Sequence, residues 1–319
     1  MKKILCVLMS CLLFVMAGCS GHSKNLKFGA ADIGGVYYSF ASTFTQLADK
    51  EIDGYTFETK TTAGSVAILR LISDGYIDLA IVQADLLSDA YNATGTFADK
   101  KYQKGYKAVA SLYTECCQIV VRKDSGITGI DDLINKTVSV GASESGSEKN
   151  AEQILKMSGI TDELINKVNM DYTEAAEKLK AGEIDAFFCT AGTRTEVIGQ
   201  LSKECDICLI SLDDKCIDKM LSAYSLCEKY TIPAGTYNGQ DSDVTTIGVK
   251  AVLIAKQSLS DDVIKNVTKT IYEHADDFKY ATSLDISFDI NTAADGVDIP
   301  FHSGAAAYYT ERGINVLTE

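Results

Sequence analysis

Ala108-Val109-Ala110-Ser111-Leu112-Tyr113-Thr114-Glu115-Cys116-Cys117-Gln118-Ile119-Val120-Val121-Arg122 contains two β-like runs, Ala108 to Tyr113 and Gln118 to Arg122, interrupted by the polar step Thr114-Glu115. The interruption marks a place where the chain passes from one structural unit to another. Ile232 to Gly239, rich in turn formers, is the second such place. Two crossings mean that one unit is inserted in the other. This divides the body into 26–114 plus 236–319 and an inserted unit, 115–235. Such a plan belongs to cleft proteins, in which two lobes turn on a two-strand hinge and hold a ligand between them.

On either side, short apolar runs alternate with amphipathic stretches. Leu26 to Ala30, Tyr55 to Thr59, Leu79 to Gln83, Thr137 to Gly141, Ala186 to Thr190 and Ile207 to Leu212 read as strands, several almost continuously apolar, as suits strands covered on both faces. Helix starts are marked by Ser65, Thr173 and Ser260, each a capping residue type followed by helix formers or acids. Ile264, Val267 and Ile271 fall at i, i+3 and i+7 and predict one buried stripe. The alternation predicts an α/β fold in which two doubly wound, mixed or parallel sheets are joined by the hinge.

Three strand-to-helix turns carry glycine and hydroxyl residues: Ile33-Gly34-Gly35-Val36-Tyr37-Tyr38, Thr61-Thr62-Ala63-Gly64-Ser65 and Gly141-Ala142-Ser143-Glu144-Ser145-Gly146-Ser147. Glycine lets backbone N–H groups approach a ligand, and a helix N-terminus favours negative charge. Drawn from both units, these turns would converge on one small anion. Taken singly, each also reads as an ordinary helix cap. Gln83 and Asp85 close a strand at the edge where open α/β sheets bind ligands, although Asp85 would equally cap the next helix. Glu115, Gln118 and Arg122 sit at the first crossing, where they could orient a polar ligand; for Arg122 a surface ion pair is the plainer reading.

Catalytic signatures are missing: the sequence has no HExxH, no GxSxG and no phosphate loop ending in GK[ST]. Neither an enzyme nor a cofactor is expected. Cys205 and Cys208 have the spacing of a zinc half-site, but no second CxxC follows and the histidines are His22, His274 and His302, so no metal site is expected either. Seven cysteines lie between Cys116 and Cys227, an odd number that cannot all pair internally. They read as buried free thiols behaving as small apolar residues.

Ile232-Pro233-Ala234-Gly235-Thr236-Tyr237-Asn238-Gly239-Gln240, with Asp243-Val244-Thr245-Thr246, strongly resembles the solute receptors of TAXI-type TRAP transporters. Gly34-Gly35-Val36-Tyr37-Tyr38, Val120 to Ile127, Pro300 to Ala305, Tyr308-Tyr309 and Glu311-Arg312-Gly313 extend the resemblance along almost the whole body. It implies a fold similar to type II periplasmic binding proteins, a small carboxylate solute (glutamate-like or a dicarboxylate), and a TRAP membrane subunit as partner. Carried over residue by residue, it selects Gly35, Tyr37, Tyr38, Gly64, Ser65, Gln83, Asp85, Ser145, Gly146 and Ser147, with Gly192 in a later turn. Two departures stand out: Glu144 where the family commonly has glycine, and Arg194 where proline is usual. A surface sensor or adhesin using the same cleft without transport is the alternative expectation.

The first residues add a location. Lys2 and Lys3 precede an apolar run from Ile4 to Met16 that ends in Ala17-Gly18-Cys19. Such a run is too short to span a bilayer, and the pattern resembles a bacterial lipoprotein signal, 1–18, with Cys19 carrying lipid and 19–25 as a tether. The protein is therefore expected on the outer face of the cell membrane. Loss of the leader removes two of the 30 basic residues and none of the 44 acidic ones, leaving a net charge of −16. An acidic surface of this size argues against nucleic acid. A monomer is expected.

Overall fold

In the computed structural model, residues 23–98, 104–282 and 288–319 are described. The leader at 1–18, the lipidation site Cys19 and the start of the tether lie outside them. The first strand, β1 (Lys24–Ala30), begins two residues before the expected Leu26. It pairs in parallel with β2 (Tyr55–Thr61) and β3 (Leu79–Gln83), and α1 (Val36–Glu51) and α2 (Ser65–Ser73) make the crossovers. All five residues of β3 are buried, as in a strand covered on both faces. Then come α3 (Ala84–Asn92) and a 17-residue strand, β4 (Tyr106–Arg122).

A second parallel set follows: β5 (Thr137–Ser139), α4 (Gly146–Met157), β6 (Asn166–Val168), α5 (Tyr172–Ala181) and β7 (Ala186–Ala191). After α6 (Glu196–Glu204), β8 (Ile207–Leu209), α7 (Asp214–Ala223) and β9 (Cys227–Ile232), the chain returns along β10 (Val244–Lys256). Helices α8 (Asp261–Glu273), α9 (Ala275–Thr282) and α10 (Ser303–Thr310) complete it. The strand order is β2-β1-β3-β10-β4-β7-β5-β6, with β8 on β4 and β9 on β10. The two parallel sets thus flank a pair of long antiparallel strands, β4 and β10, that belong to both halves.

Thr114 and Glu115, expected to interrupt two strands, lie inside one. Across from them β10 supplies Lys250 and Val249, so the backbone ladder continues through the polar step. The Thr114 hydroxyl donates to Glu228 at 2.7 Å. Only a partner strand outside this stretch of sequence makes that continuity possible.

Buried apolar side chains fall into separate clusters. The largest joins Phe28, Phe40, Phe44, Phe278 and Tyr309, with Phe40 stacked on Phe278 at 4.3 Å. Ile264, Val267 and Ile271 contribute to it, as their spacing predicts. A second cluster contains Ile119, Val138, Ile154 and Phe188, and a third contains Leu179, Phe187, Ile198 and Tyr237 from the Ile232–Gly239 loop. Along β10, Ile247 belongs to the second cluster and Val249 to the first, so the chain passes between lobes within this strand.

The helix starts differ in detail from the sequence reading. Asp171, not Thr173, caps α5 by accepting from the Glu174 amide at 2.8 Å, because the helix begins two residues earlier. Ser260 stands at the N-cap of α8 without a side-chain cap bond. Ser65 is the first residue of α2, and its hydroxyl accepts from the Gln83 amide at 3.1 Å instead of capping. Cys116, Cys117, Cys189, Cys216 and Cys227 are buried free thiols, whereas Cys205 and Cys208 are half-buried and also free.

Candidate functional site

The C-terminal ends of β1, β2, β3, β5 and β7 point toward one seam between the lobes, and the turns after them open helices there. Open α/β sheets bind ligands at this edge. A cavity of about 30 Å³ lies in the seam, bordered by Gly35, Tyr37, Gly64, Ser65, Gln83, Glu115, Ser145, Gly146 and Ser147. That volume holds a water molecule or two, far less than the roughly 300–1,000 Å³ typical of small-molecule pockets. The two sides of the seam therefore lie close together, with little room for a solute between them.

Cross-lobe contacts show what closure consists of. The Glu144 carbonyl accepts from the amides of Val66 and Ala67 at 3.1 and 3.2 Å, occupying part of the N-terminus of α2. Its side chain turns outward to Arg70 at 2.7 Å, so its charge does not face the cavity. Glu144 has φ +64°, a left-handed conformation that suits glycine, which explains why a glycine is at home in this position. Gly64, at φ +128°, faces Ser145 so closely that an added Cβ would lie 2.9 Å from the Ser145 Cα. A Cβ on Gly146 would overlap the Gln83 carboxamide. Gly64 needs to be glycine because two backbones meet there, and Gly146 because the buried Gln83 side chain packs against it.

The other two helix starts leave amides unoccupied by their own helices. Gly35 at the N-cap of α1 contributes no side-chain bond, so the amides of its first turn have no intrahelical partner. On α4, Ser145 accepts from the Glu148 amide at 3.0 Å, leaving those of Gly146 and Ser147. Ser147 is locked: its hydroxyl accepts from the Thr190 amide at 2.8 Å and lies 2.5 Å from the Tyr172 hydroxyl.

Glu115 forms the buried wall. The Tyr37 hydroxyl donates to its Oε2 at 2.9 Å, and burial pushes its carboxyl up to about 8, although the hydrogen bonds from Tyr37 and Gln83 oppose the shift. Asp32 also borders the cavity; burial, with nearby Asp171, raises it to about 6. The Gln83 Oε1 is buried without a hydrogen-bond partner. No Lys, Arg or His is among the bordering residues.

Four expected site residues lie off the cavity. Tyr38 packs on the first core cluster. Gln118 is saturated: it donates to Thr195 at 2.8 Å and accepts from the Tyr237 hydroxyl at 2.5 Å. The Gly192 carbonyl accepts from the Thr195 hydroxyl at 3.0 Å. Asp85 accepts from the Leu86 amide at 2.8 Å and faces Asn150 of the other lobe at 3.3 Å; burial raises it to about 6. Arg122 pairs with Asp124 at 3.3 Å and donates to the Leu179 carbonyl at 2.9 Å, away from the seam. Conversely, Asp32, Tyr172 and Thr190 border the cavity but were not singled out from sequence. Asp32 alone had a signal, its place two residues before a glycine pair at a strand end. Among the described residues no group of His, Cys, Asp and Glu is arranged to hold a metal ion, and no helix is long and apolar enough to cross a membrane.

Residues 28–313 match the model of the NMT1-like family. Several solved structures share the fold at low identity. A putative L-cystine ABC transporter from Listeria monocytogenes is 15% identical over 82% of this chain and 94% of its own, with a TM-score of 0.52. The ligand-binding component of an ABC-type import system from Staphylococcus aureus is 12% identical over 92% and 94%, at 0.52. The alkanesulfonate-binding protein SsuA from Xanthomonas axonopodis pv. citri, bound to MOPS, is 12% identical over 81% and 78%, at 0.50. The chain therefore has the two-lobed fold of type II periplasmic binding proteins.

Proposed function

The chain belongs to the NMT1-like family, and from that premise we propose that it is an extracytoplasmic receptor that captures a small carboxylate solute by closing its lobes and delivers it to a membrane transporter, with no chemistry of its own. One observation carries the reading: helix starts and strand ends from both lobes border one small cavity, Gly35 and Gly146 among them. Open, one lobe would offer its amides to the solute; closed, the second adds its own and excludes water. A solute shifts this equilibrium only through its extra affinity for the closed form.

The motifs resembling TAXI receptors support a TRAP-type membrane subunit as the partner. The leader pattern supports a lipid anchor on Cys19 at the outer face of the membrane. Replacing Cys19 by serine is then expected to move the protein from the membrane fraction to the soluble one.

Thermal unfolding of the leaderless protein against a panel of small carboxylic and amino acids tests the receptor reading. A bound solute at 100 times its Kd adds about 2.7 kcal/mol of stability. Gly146→Ala, which sets a methyl against Gln83 across the seam, is expected to abolish that gain. If no member of the panel stabilises the protein, the receptor reading is overturned.

A further inference from the structure

Resting on the lipid anchor proposed for Cys19, we infer that lobe 1 stands on the bilayer through the pole where its parallel strands begin, with Tyr76 at the level of the lipid headgroups and lobe 2 held away from the membrane.

The tether is shorter than the sequence alone suggests. Lys24 is already in the sheet: it pairs with Tyr55, and its amide donates to the Gly54 carbonyl at 3.0 Å. Only residues 20–23 separate it from Cys19. Five Cα-to-Cα steps reach at most about 18 Å, whatever path they take. By contrast β4, 17 residues long, starts at the same pole and runs through the seam into lobe 2, a length of about 55 Å. The tether therefore cannot bring the far end of lobe 2, where Ile134 is exposed ahead of β5, down to the bilayer.

Tyr76 selects the pole over a flank. The turn that carries it, between α2 and β3, lies beside the start of β1: the Asp78 amide donates to the Lys27 carbonyl at 2.8 Å, and the Lys27 amide donates to the Asp78 carboxylate at 3.0 Å. Tyr76 is 63% exposed there. A tyrosine joins an apolar ring to a hydroxyl and is favoured at the boundary between lipid and water. The Lys256 ammonium reaches the same turn, 3.3 Å from the Asp78 carboxylate. Residues 23–27, 50–54, 74–78 and 256–258, which form this pole, hold four lysines and four acids. The pole thus lacks the one-sided negative charge that the chain as a whole carries and that an anionic leaflet would repel. Anchored there, lobe 1 is the fixed half of any opening motion and lobe 2 is the half that swings.

The chain contains no tryptophan, so one introduced at a single position reports alone. Tyr76→Trp at the pole, Ile33→Trp beside the cavity and Ile134→Trp at the far end of lobe 2 all fall on exposed residues, where the fold tolerates the change. Each lipidated variant is placed in vesicles of phosphatidylethanolamine and phosphatidylglycerol, with and without brominated acyl chains, which quench a tryptophan that touches them. Tyr76→Trp is expected to lose at least about twice the fraction of its fluorescence that either other variant loses. Equal quenching at all three positions, stronger quenching at 33 or 134, or none at 76 overturns the standing pose. Fractionation of Cys19→Ser reads the anchor separately. Membrane retention unchanged by that substitution overturns the anchor and this pose with it, and leaves the solute panel to judge the receptor reading.

Discussion

Glu115 stores a charge cost inside a sheet. A free glutamate titrates near 4.3, whereas burial raises this one to about 8, so between those values the folded protein holds a proton that the unfolded chain has lost. Stability must therefore fall as pH rises through that window. Asp32 and Asp85, both about 6, act in the same direction but finish by about pH 7, leaving most of the span from 6 to 8 to Glu115. Urea unfolding of the ligand-free protein is expected to lose on the order of 2 kcal/mol from pH 6 to pH 8. In Glu115→Gln the same span should be nearly flat. A wild-type protein equally stable at both ends would mean that the carboxyl is solvated and not part of a dry wall.

At the scale of elements, the turns before α2 and α4 matter more for how they meet than for what they could bind. Sequence shows hydroxyl and glycine at helix starts and suggests anion sites, but the Glu144 carbonyl takes the Val66 and Ala67 amides in the closed form. The Gly64-Ser65 turn is thus a docking surface for the opposite lobe. Gly64→Ala tests this: φ +128° is a backbone conformation that a side chain resists, and the new methyl would press on Ser145. The variant is expected to bind solute at least tenfold more weakly and to stay more open by small-angle scattering, while each lobe retains its core. Unchanged affinity would show that the lobes need not approach as closely there.

Legibility from sequence stops where the whole molecule begins. The α/β alternation, the buried stripe of α8 and the glycine turns depend on neighbours in the chain and could be read directly. The continuity of β4 could not, because Thr114 and Glu115 are acceptable in a strand only when β10, more than a hundred residues away, completes the ladder. Tyr172, the first residue of α5, and Thr190, near the end of β7, were equally hidden: neither lies in a glycine turn, and only the closing of one lobe on the other gives them a cavity to face. Closure also ranks its own contacts. Arg70 and Glu144 pair across the seam, but their side chains remain 48% and 44% exposed, so water and salt screen the attraction. Such pairs contribute between nothing and about 1 kcal/mol. Arg70→Ala is accordingly expected to weaken solute binding less than about fivefold, and raising salt from low to high concentration should do no more. The backbone bonds from Val66 and Ala67 to Glu144, which neither change removes, keep the lobes in register. A tenfold or greater loss in Arg70→Ala would transfer the main closing role from the backbone to the ion pair and make the receptor's affinity depend on ionic strength.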